Sequence, residues 1–407
     1  MTETILDMIG TATLAIAVFG VVFCVMRQQF QPIYRSLAWF LVAIALNNVP
    51  MAFERAIAAA KDPYLEAGVA MISLVGGFCL APFFWMYVVT LTSTAPRRSP
   101  YLCAHLALPA LAACVALLMA LMPQDVLVFL VSEEGSDPTG WPLIVLVMLA
   151  LLNLAFYVQL PVYLYLTVRR LLRYRRQLRD VYASTEQHEL RWIYLIGALG
   201  VLFWLSQIMD LWSVFVPQAA VLSSPAASGV GFVLFATATL WGLRQRPALV
   251  PDSDTDLSPP DADEGTPERD GERYQKSTLP PERSERLARK LRAAMEIDHL
   301  YRDPDLSLWS LARHIGASPN HISQTLNVTL GETFFDFVNG YRIAEAMQML
   351  VQTDETVLTI TYDVGFNARS SFYTAFKRVT GQTPTGYRKT LSGSKGLDEI
   401  GGERRHI

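Results

Sequence analysis

Charge is spread so unevenly along this chain that no single water-soluble domain can contain it. Residues 1–246 hold 15 Lys/Arg and 13 Asp/Glu, so only 28 of 246 positions are charged. Residues 247–407 hold the other 19 and 24, or 43 of 161. A soluble domain carries about 25% charged residues. The second part meets that level; the first is too poor in charge to coat a water-facing surface. The net charge of −3 averages two unlike halves.

The apolar half reads as membrane helices. A bilayer core of about 30 Å needs roughly 20 apolar residues in helical form. Seven such runs lie near 5–26, 34–53, 68–93, 101–122, 142–167, 192–216 and 222–243. The first lacks the basic start of a secretory signal peptide, and six more follow, so it reads as a retained helix. Connecting loops fix the orientation, since Lys and Arg gather on the cytoplasmic side. Thirteen Arg fall in the loops at 27–36, 94–100 and 168–191 and just after the seventh run. The alternate loops hold only Arg55 and Lys61, and the 125–140 loop is acidic. The expected location is the inner (cytoplasmic) membrane, multi-pass, with the N-terminus outside and the C-terminus in the cytoplasm.

Polar side chains inside such spans are expensive and often functional. Asn47, Asn48, Glu54 and Asp210 fall toward the outer ends of their helices, with Asn153, Gln159 and Gln207 deeper. The first four could form a sensor pocket open to the outside or the outer leaflet, with Asp210 the first choice. Interhelical hydrogen bonding, or snorkelling to the interface, is the simpler account of them. Pro50, Pro82 and Pro161 are expected to kink their helices. Cys24, Cys79, Cys103 and Cys114 all lie in apolar runs and read as small hydrophobes. No catalytic motif, metal spacing or cofactor loop is visible: His188-Glu189 lacks the second His of a zinc helix. The chain does not read as an enzyme. A membrane enzyme or transporter with a regulatory tail is the alternative that the spans alone permit.

Residues 247–281 are rich in Pro, Asp, Glu, Ser and Gly, with nine acidic side chains against three basic ones. Such a segment buries too little to offset its ordering entropy. As a flexible coil it would reach roughly 30–35 Å, which makes it a tether.

From Ser284 the pattern turns helical again. Leu308, Leu311, Ala312 and Ile315 make a short amphipathic helix, stopped by Gly316. Ser318 caps the next helix with Pro319 in its first turn. Ile322 and Leu326 face inward. Asn320, Ser323, Gln324 and Asn327 are left outside, where short polar side chains can reach base edges. Phe334, Phe337, Val338, Tyr341, Ala344, Met347 and Leu350 form the core stripe of a longer helix. Val357, Ile360 and Val364 then form a short helix ended by Gly365. A last helix points Phe372 and Phe376 inward and Arg369, Ser370, Tyr373, Thr374 and Lys377 outward. The expected fold is all-α: a seven-helix transmembrane bundle (1–246), a linker (247–281), a cytoplasmic helical domain with two helix-turn-helix units (282–392) and a tail (393–407).

These residues carry a family signature: Leu306-Ser307-Leu308-x-x-Leu311-Ala312, Ser318-Pro319-Asn320-His321-Ile322-Ser323, Tyr341-Arg342-Ile343-x-x-Ala346 and Ile360-x-x-Asp363-Val364-Gly365-Phe366. It closes on Ser371-Phe372-x-x-Ala375-Phe376-Lys377-x-x-x-Gly381-x-Thr383-Pro384-x-x-Tyr387-Arg388. The pattern resembles the DNA-binding domain of AraC/XylS-type transcription regulators, over a quarter of the chain. Asn327, Phe337-Val338-Asn339 and Tyr274-Gln275-Lys276-Ser277 resemble a membrane-tethered subgroup. The resemblance implies two recognition helices entering successive major grooves, about 34 Å apart. By position, Asn320, Ser323, Gln324, Arg369, Ser370, Tyr373 and Thr374 would read bases. Lys377, Arg378, Arg388 and Lys389 would contact phosphates. The implied partners are promoter DNA, the lipid bilayer, and a small-molecule or lipid effector of unknown identity, with no cofactor or metal. Residues 282–390 hold 13 Lys/Arg against 12 Asp/Glu, unlike the basic footprint of a tight solitary DNA binder. Binding as a homodimer or as cooperative pairs is therefore expected. The family's usual soluble sensor is missing, and the bundle stands in its place, either sensing directly or only anchoring.

Overall fold

Helix start and stop signals divide this chain into elements that a computed structural model describes over residues 2–93, 102–123, 126, 139–185, 190–213, 220–245 and 279–390. The tether up to residue 278 and the tail 393–407 lie outside the described residues. The chain divides into two compact units. One is Met1–Leu172 with Leu190–Ala248; the other is Arg173–Glu189 with Leu249–Ile407.

The first unit contains α1 (Thr2–Met26), α2 (Gln31–Ala52), α3 (Glu54–Ala60), α4 (Pro63–Leu91), α5 (Leu102–Ala120), most of α6 (Trp141–Arg179), α7 (Arg191–Ser213) and α8 (Ala220–Arg244). Helices α1, α4, α5, α6, α7 and α8 are each long and apolar enough to cross a membrane. The expected count of seven is reached only if α2 and α3, which meet at a 54° bend, form one span. The break at Phe53 lies just beyond Pro50, whose missing N–H and ring weaken the helix there. Helices α4 and α6 continue through Pro82 and Pro161.

Helix α2 packs against both α1 and α4. Tyr34, Leu37, Leu41 and Ile44, spaced three and four apart, are fully buried along it. Gly76 of α4 lies so close to α2 that a Cβ there would sit 2.7 Å from the Asn47 backbone nitrogen. Small residues of this kind let membrane helices approach closely. At the end of α4, Arg170 donates to the Thr92 carbonyl (3.0 Å) and to the Thr92 and Ser93 hydroxyls. A cation suits a helix C-terminus, where carbonyls lack partners. The outward faces are apolar: Phe19, Leu117, Leu151 and Leu240 are all more than 60% exposed. Contiguous apolar surface on this scale fits lipid better than water.

The second unit is built from α9 (Pro281–Glu296), a 3₁₀ turn (Leu300–Arg302), α10 (Leu308–Ile315), α11 (Pro319–Gln324), α12 (Phe334–Gln352), α13 (Val357–Asp363), α14 (Arg369–Thr380) and α15 (384–390). A π-helical turn, Thr325–Leu330, prolongs α11. Ser307, Ser318, Thr333 and Thr356 each accept a backbone N–H at the start of a helix. No strand occurs among the described residues.

Two hydrophobic clusters share α12. Phe334, Phe337 and Val338 join Leu291, Leu311 and Ile322 in one. Ile343, Ala346 and Leu350 join Ile360, Phe372 and Phe376 in the other. The stripe expected along α12 therefore changes face midway: Ala344 is exposed, and Ile343 and Ala346 take the inner positions. The two clusters flank a fully buried Arg342. Gly365 has φ +93°, and a Cβ there would lie 2.5 Å from the Tyr301 carbonyl oxygen, so only glycine fits.

Candidate nucleic-acid interface

The first helix-turn-helix is α10 and α11. Its turn follows from Gly316 (φ 63°), which ends α10, and from Ser318, whose Oγ accepts the His321 N–H at 3.2 Å. Ile322 and Leu326 are fully buried, which fixes the rotation of α11. Asn320 and His321 are exposed as a result, while Ser323 and Gln324 are half-buried beside them. The Asn327 amide lies 3.4 Å from the Ser323 hydroxyl.

The second unit is α13 and α14. Phe372, Ala375 and Phe376 are buried, leaving Arg369, Ser370 and Thr374 exposed. Arg369 Nη2 donates to the Tyr373 hydroxyl at 3.1 Å, and its guanidinium lies 4.8 Å from that ring's centre. This pair, one helical turn apart, holds Arg369 in a defined posture above α14. The Tyr373 hydroxyl also meets Thr385 at 3.5 Å. Hydrogen bonding from Thr385, and secondarily from Arg369, holds that phenol below its usual pKa. The Thr374 hydroxyl is turned back onto the Ser370 carbonyl (2.8 Å).

The expected phosphate contacts fall into two kinds. Lys377 and Lys389 are exposed cations. Arg378 is paired with Asp336 at 2.7 Å, and Arg388 Nε donates to the Leu350 carbonyl at the end of α12 (3.1 Å). These two guanidiniums thus serve the domain's own joints. Arg342 was hidden from pattern reading, because a cation between core positions looks out of place. Its Nε and Nη2 bind the carbonyls of Tyr301 (2.6 Å) and Asp303 (2.8 Å), and its guanidinium stacks on Phe366.

Three of the four candidate sensor residues have described side chains. Asn48 is buried, and its amide donates to the Ile44 carbonyl of its own helix (2.9 Å). Asn47 is half-buried, and its carbonyl accepts the Ser73 hydroxyl (3.0 Å). Glu54 is exposed, and the Asp210 side chain lies outside the described residues. A cavity of about 100 Å³ opens elsewhere in the bundle, lined by Phe40, Phe84, Phe156, Phe203 and Phe235 around Gln159. Tyr163, Thr167 and Ile193 place it toward the end of α6 and the start of α7. Gln159 is buried and donates to the Phe78 carbonyl at 3.0 Å.

Residues 311–390 match the family described as "Helix-turn-helix domain". Residues in this region are 37% identical over 99 positions to an uncharacterized HTH-type transcriptional regulator of Staphylococcus aureus (strain COL), covering 24% of this chain. The similarity to the HTH-type transcriptional regulator YtdP of Bacillus subtilis (strain 168) is 30% over 95 positions, or 23% of this chain. The match spans only 13% and 12% of those relatives' lengths. A solved structure, the C-terminal domain of AraT, a response regulator from Geobacillus stearothermophilus, is 29% identical with a TM-score of 0.24, covering 28% of this chain and 88% of that one. The C-terminal part of the chain thus contains a helix-turn-helix domain, similar in sequence to parts of these HTH-type transcriptional regulators.

Proposed function

We propose that the chain is a membrane-embedded, one-component transcription regulator. Its bundle sits in the cytoplasmic membrane with the N-terminus outside, and its helix-turn-helix domain binds promoter DNA in the cytoplasm. One observation carries the reading: two complete helix-turn-helix units share one helix, in a chain whose other half turns Leu and Phe outward. Asn320, Ser323 and Gln324 read bases from α11. Arg369, with Ser370, Tyr373 and Thr374 around it, reads them from α14. Lys377 and Lys389 hold phosphates, which set register more than sequence. Arg378 and Arg388 act there only as far as their bonds to Asp336 and Leu350 allow.

The sensing role falls to the bundle, and its apolar cavity favours a small lipid-phase molecule over a charged external one. Near-neutral charge on the DNA-binding domain favours paired copies on adjacent half-sites. The test uses the full chain in nanodiscs, offered random-sequence DNA duplexes at graded salt. Enrichment of a site with two short blocks one helical turn apart supports the reading. Retention without any sequence preference overturns it.

A further inference from the structure

We propose that residues 180–185, from the loop between α6 and α7, form a clasp on the helix-turn-helix domain. Through it, movement of α6 reaches the DNA-binding surface. This deepens the regulator reading and rests on it for its functional half. The segment belongs to the same compact unit as the C-terminal domain, although more than a hundred residues of sequence separate it from its partners Leu306 and Leu308.

The contacts have the form of a built interface. Leu308 N–H donates to the Val181 carbonyl (2.8 Å), and Ala183 N–H donates to the Leu306 carbonyl (3.2 Å). These bonds make an antiparallel bridge between Tyr182 and Ser307, the cap of α10. Ala183 is 1% exposed and belongs to the same core cluster as Leu291, Leu311 and Phe334. Its carbonyl accepts from Asn339 Nδ2 at 3.1 Å. The Ser184 hydroxyl accepts from Arg342 Nη1 at 3.1 Å, so the buried guanidinium serves both the clasp and its own domain. The Tyr182 ring meets Trp309 edge-on at 5.7 Å.

The clasp touches the start of the first helix-turn-helix and the middle of the helix that joins the two. A further line of contact leads to the second. Arg179, the last residue of α6, lies over Phe335 at 5.2 Å. Arg378 of α14 lies over the same ring at 5.7 Å and pairs with Asp336 next to it. Both helix-turn-helix units are thus within one or two contacts of the segment that follows α6. Backbone pairing with buried polar groups specifies register, because a slip would leave those groups unpaired in a dry site. The covalent route from bundle to domain runs through the tether, and the clasp adds a non-covalent one. The clasp is the shorter route in sequence, and it ends on defined partners.

The test uses the full chain in nanodiscs, with two readouts. Amide exchange at Leu308 and Ala183 is measured in the wild type, in Ala183→Asp, which places a charge in the buried site, and in the milder Ser184→Ala. Opening the clasp should speed Leu308 exchange by about tenfold or more in Ala183→Asp. Ser184→Ala should shift it in the same direction but less, and amides of α13 and α14 should keep wild-type rates. Fast Leu308 exchange already present in the wild type overturns the clasp. Exchange unchanged in both variants also overturns it.

The coupling is tested by inserting one alanine after Leu172, which turns the following helix by about 100°. Affinity is read on a duplex enriched by the wild type from random sequence. The insertion should change affinity at least about threefold in the wild type and much less in the Ala183→Asp background, since coupled sites are non-additive. Equal effects in both backgrounds overturn the coupling. If no duplex is enriched, the regulator reading and the coupling built on it fail together, while the exchange readout still decides the clasp.

Discussion

The bundle and the helix-turn-helix domain solve the same problem, joining helices, with opposite materials. In the domain, Ser307, Ser318, Thr333 and Thr356 close helix N-termini, glycines with positive φ end several helices, and polar residues face out. In the bundle, small residues such as Gly76 bring backbones together, and large apolar side chains face out. Water sets the first pattern, because every exposed helix end must be finished and every buried polar atom matched. Lipid suits the second, since it offers helices little hydrophobic reason to associate and leaves packing to decide. A buried polar group should therefore matter more in the domain than in the bundle.

The largest effect that tests this contrast is at Arg342. Truncation to Ala takes the donors from the buried Tyr301 carbonyl and the partly buried Asp303 carbonyl, and opens a void between the two clusters. It should cost about 3–5 kcal/mol, since each unsatisfied acceptor costs about 1–3 kcal/mol and the cavity adds to that. Core amides of α12 and α13 should lose two to three orders of magnitude of exchange protection. A loss under tenfold would place Arg342 among dispensable contacts and erase the contrast. Next comes Arg369→Ala, which should forfeit about 1–3 kcal/mol of discrimination at one base pair. Selection of bound sequences by the variant should show that position relaxed and the others kept. An unchanged selected motif would remove Arg369 from the readout.

Much of the domain was legible in advance because its signals are local. Ser318-Pro319 starts a helix, Gly316 and Gly365 stop helices, and three- and four-residue spacing gives the buried face. Asn320 and Arg369 could be placed outside on that basis alone. What stayed hidden depends on chain segments far apart. The α12 stripe changes face because two clusters lie on different sides of it, which no single period expresses. Arg342 looks misplaced until Tyr301, Asp303 and Ser184 arrive around it. The 180–185 segment reads as an ordinary polar loop, and only its backbone pairing with Leu306 and Leu308 reveals a partner. In the bundle, length and apolarity mark the helices, but which polar residues share a pocket depends on helix rotation. The Asn48 amide turned to a carbonyl of its own helix, and a cavity formed around Gln159.

Ser318→Ala, by removing a cap, should cost the domain about 1 kcal/mol. Thermal unfolding of the domain's signal in the full chain should shift down by a few degrees. No shift would mean that Pro319 alone suffices to start α11.

The smallest effect is expected at Gln159, and it is the one that separates the two regions most sharply. Its amide donates to the Phe78 carbonyl, whose usual helical donor four residues on is Pro82 and has no N–H, so Gln159→Leu removes a hydrogen bond that the helix does not replace in kind. Hydrogen bonds between membrane helices average about 0.6 kcal/mol, and the added apolar contact in a Phe-lined cavity offsets part of that. Bundle stability in detergent or nanodiscs should therefore stay within about 1 kcal/mol of wild type. Loss of several kcal/mol would mean that this glutamine is structural, as Arg342 is in the domain, and that lipid and water do not divide the molecule's polar economy as argued. If stability holds while DNA affinity in nanodiscs changes, Gln159 instead belongs to the equilibrium between bundle states that a cavity ligand would shift.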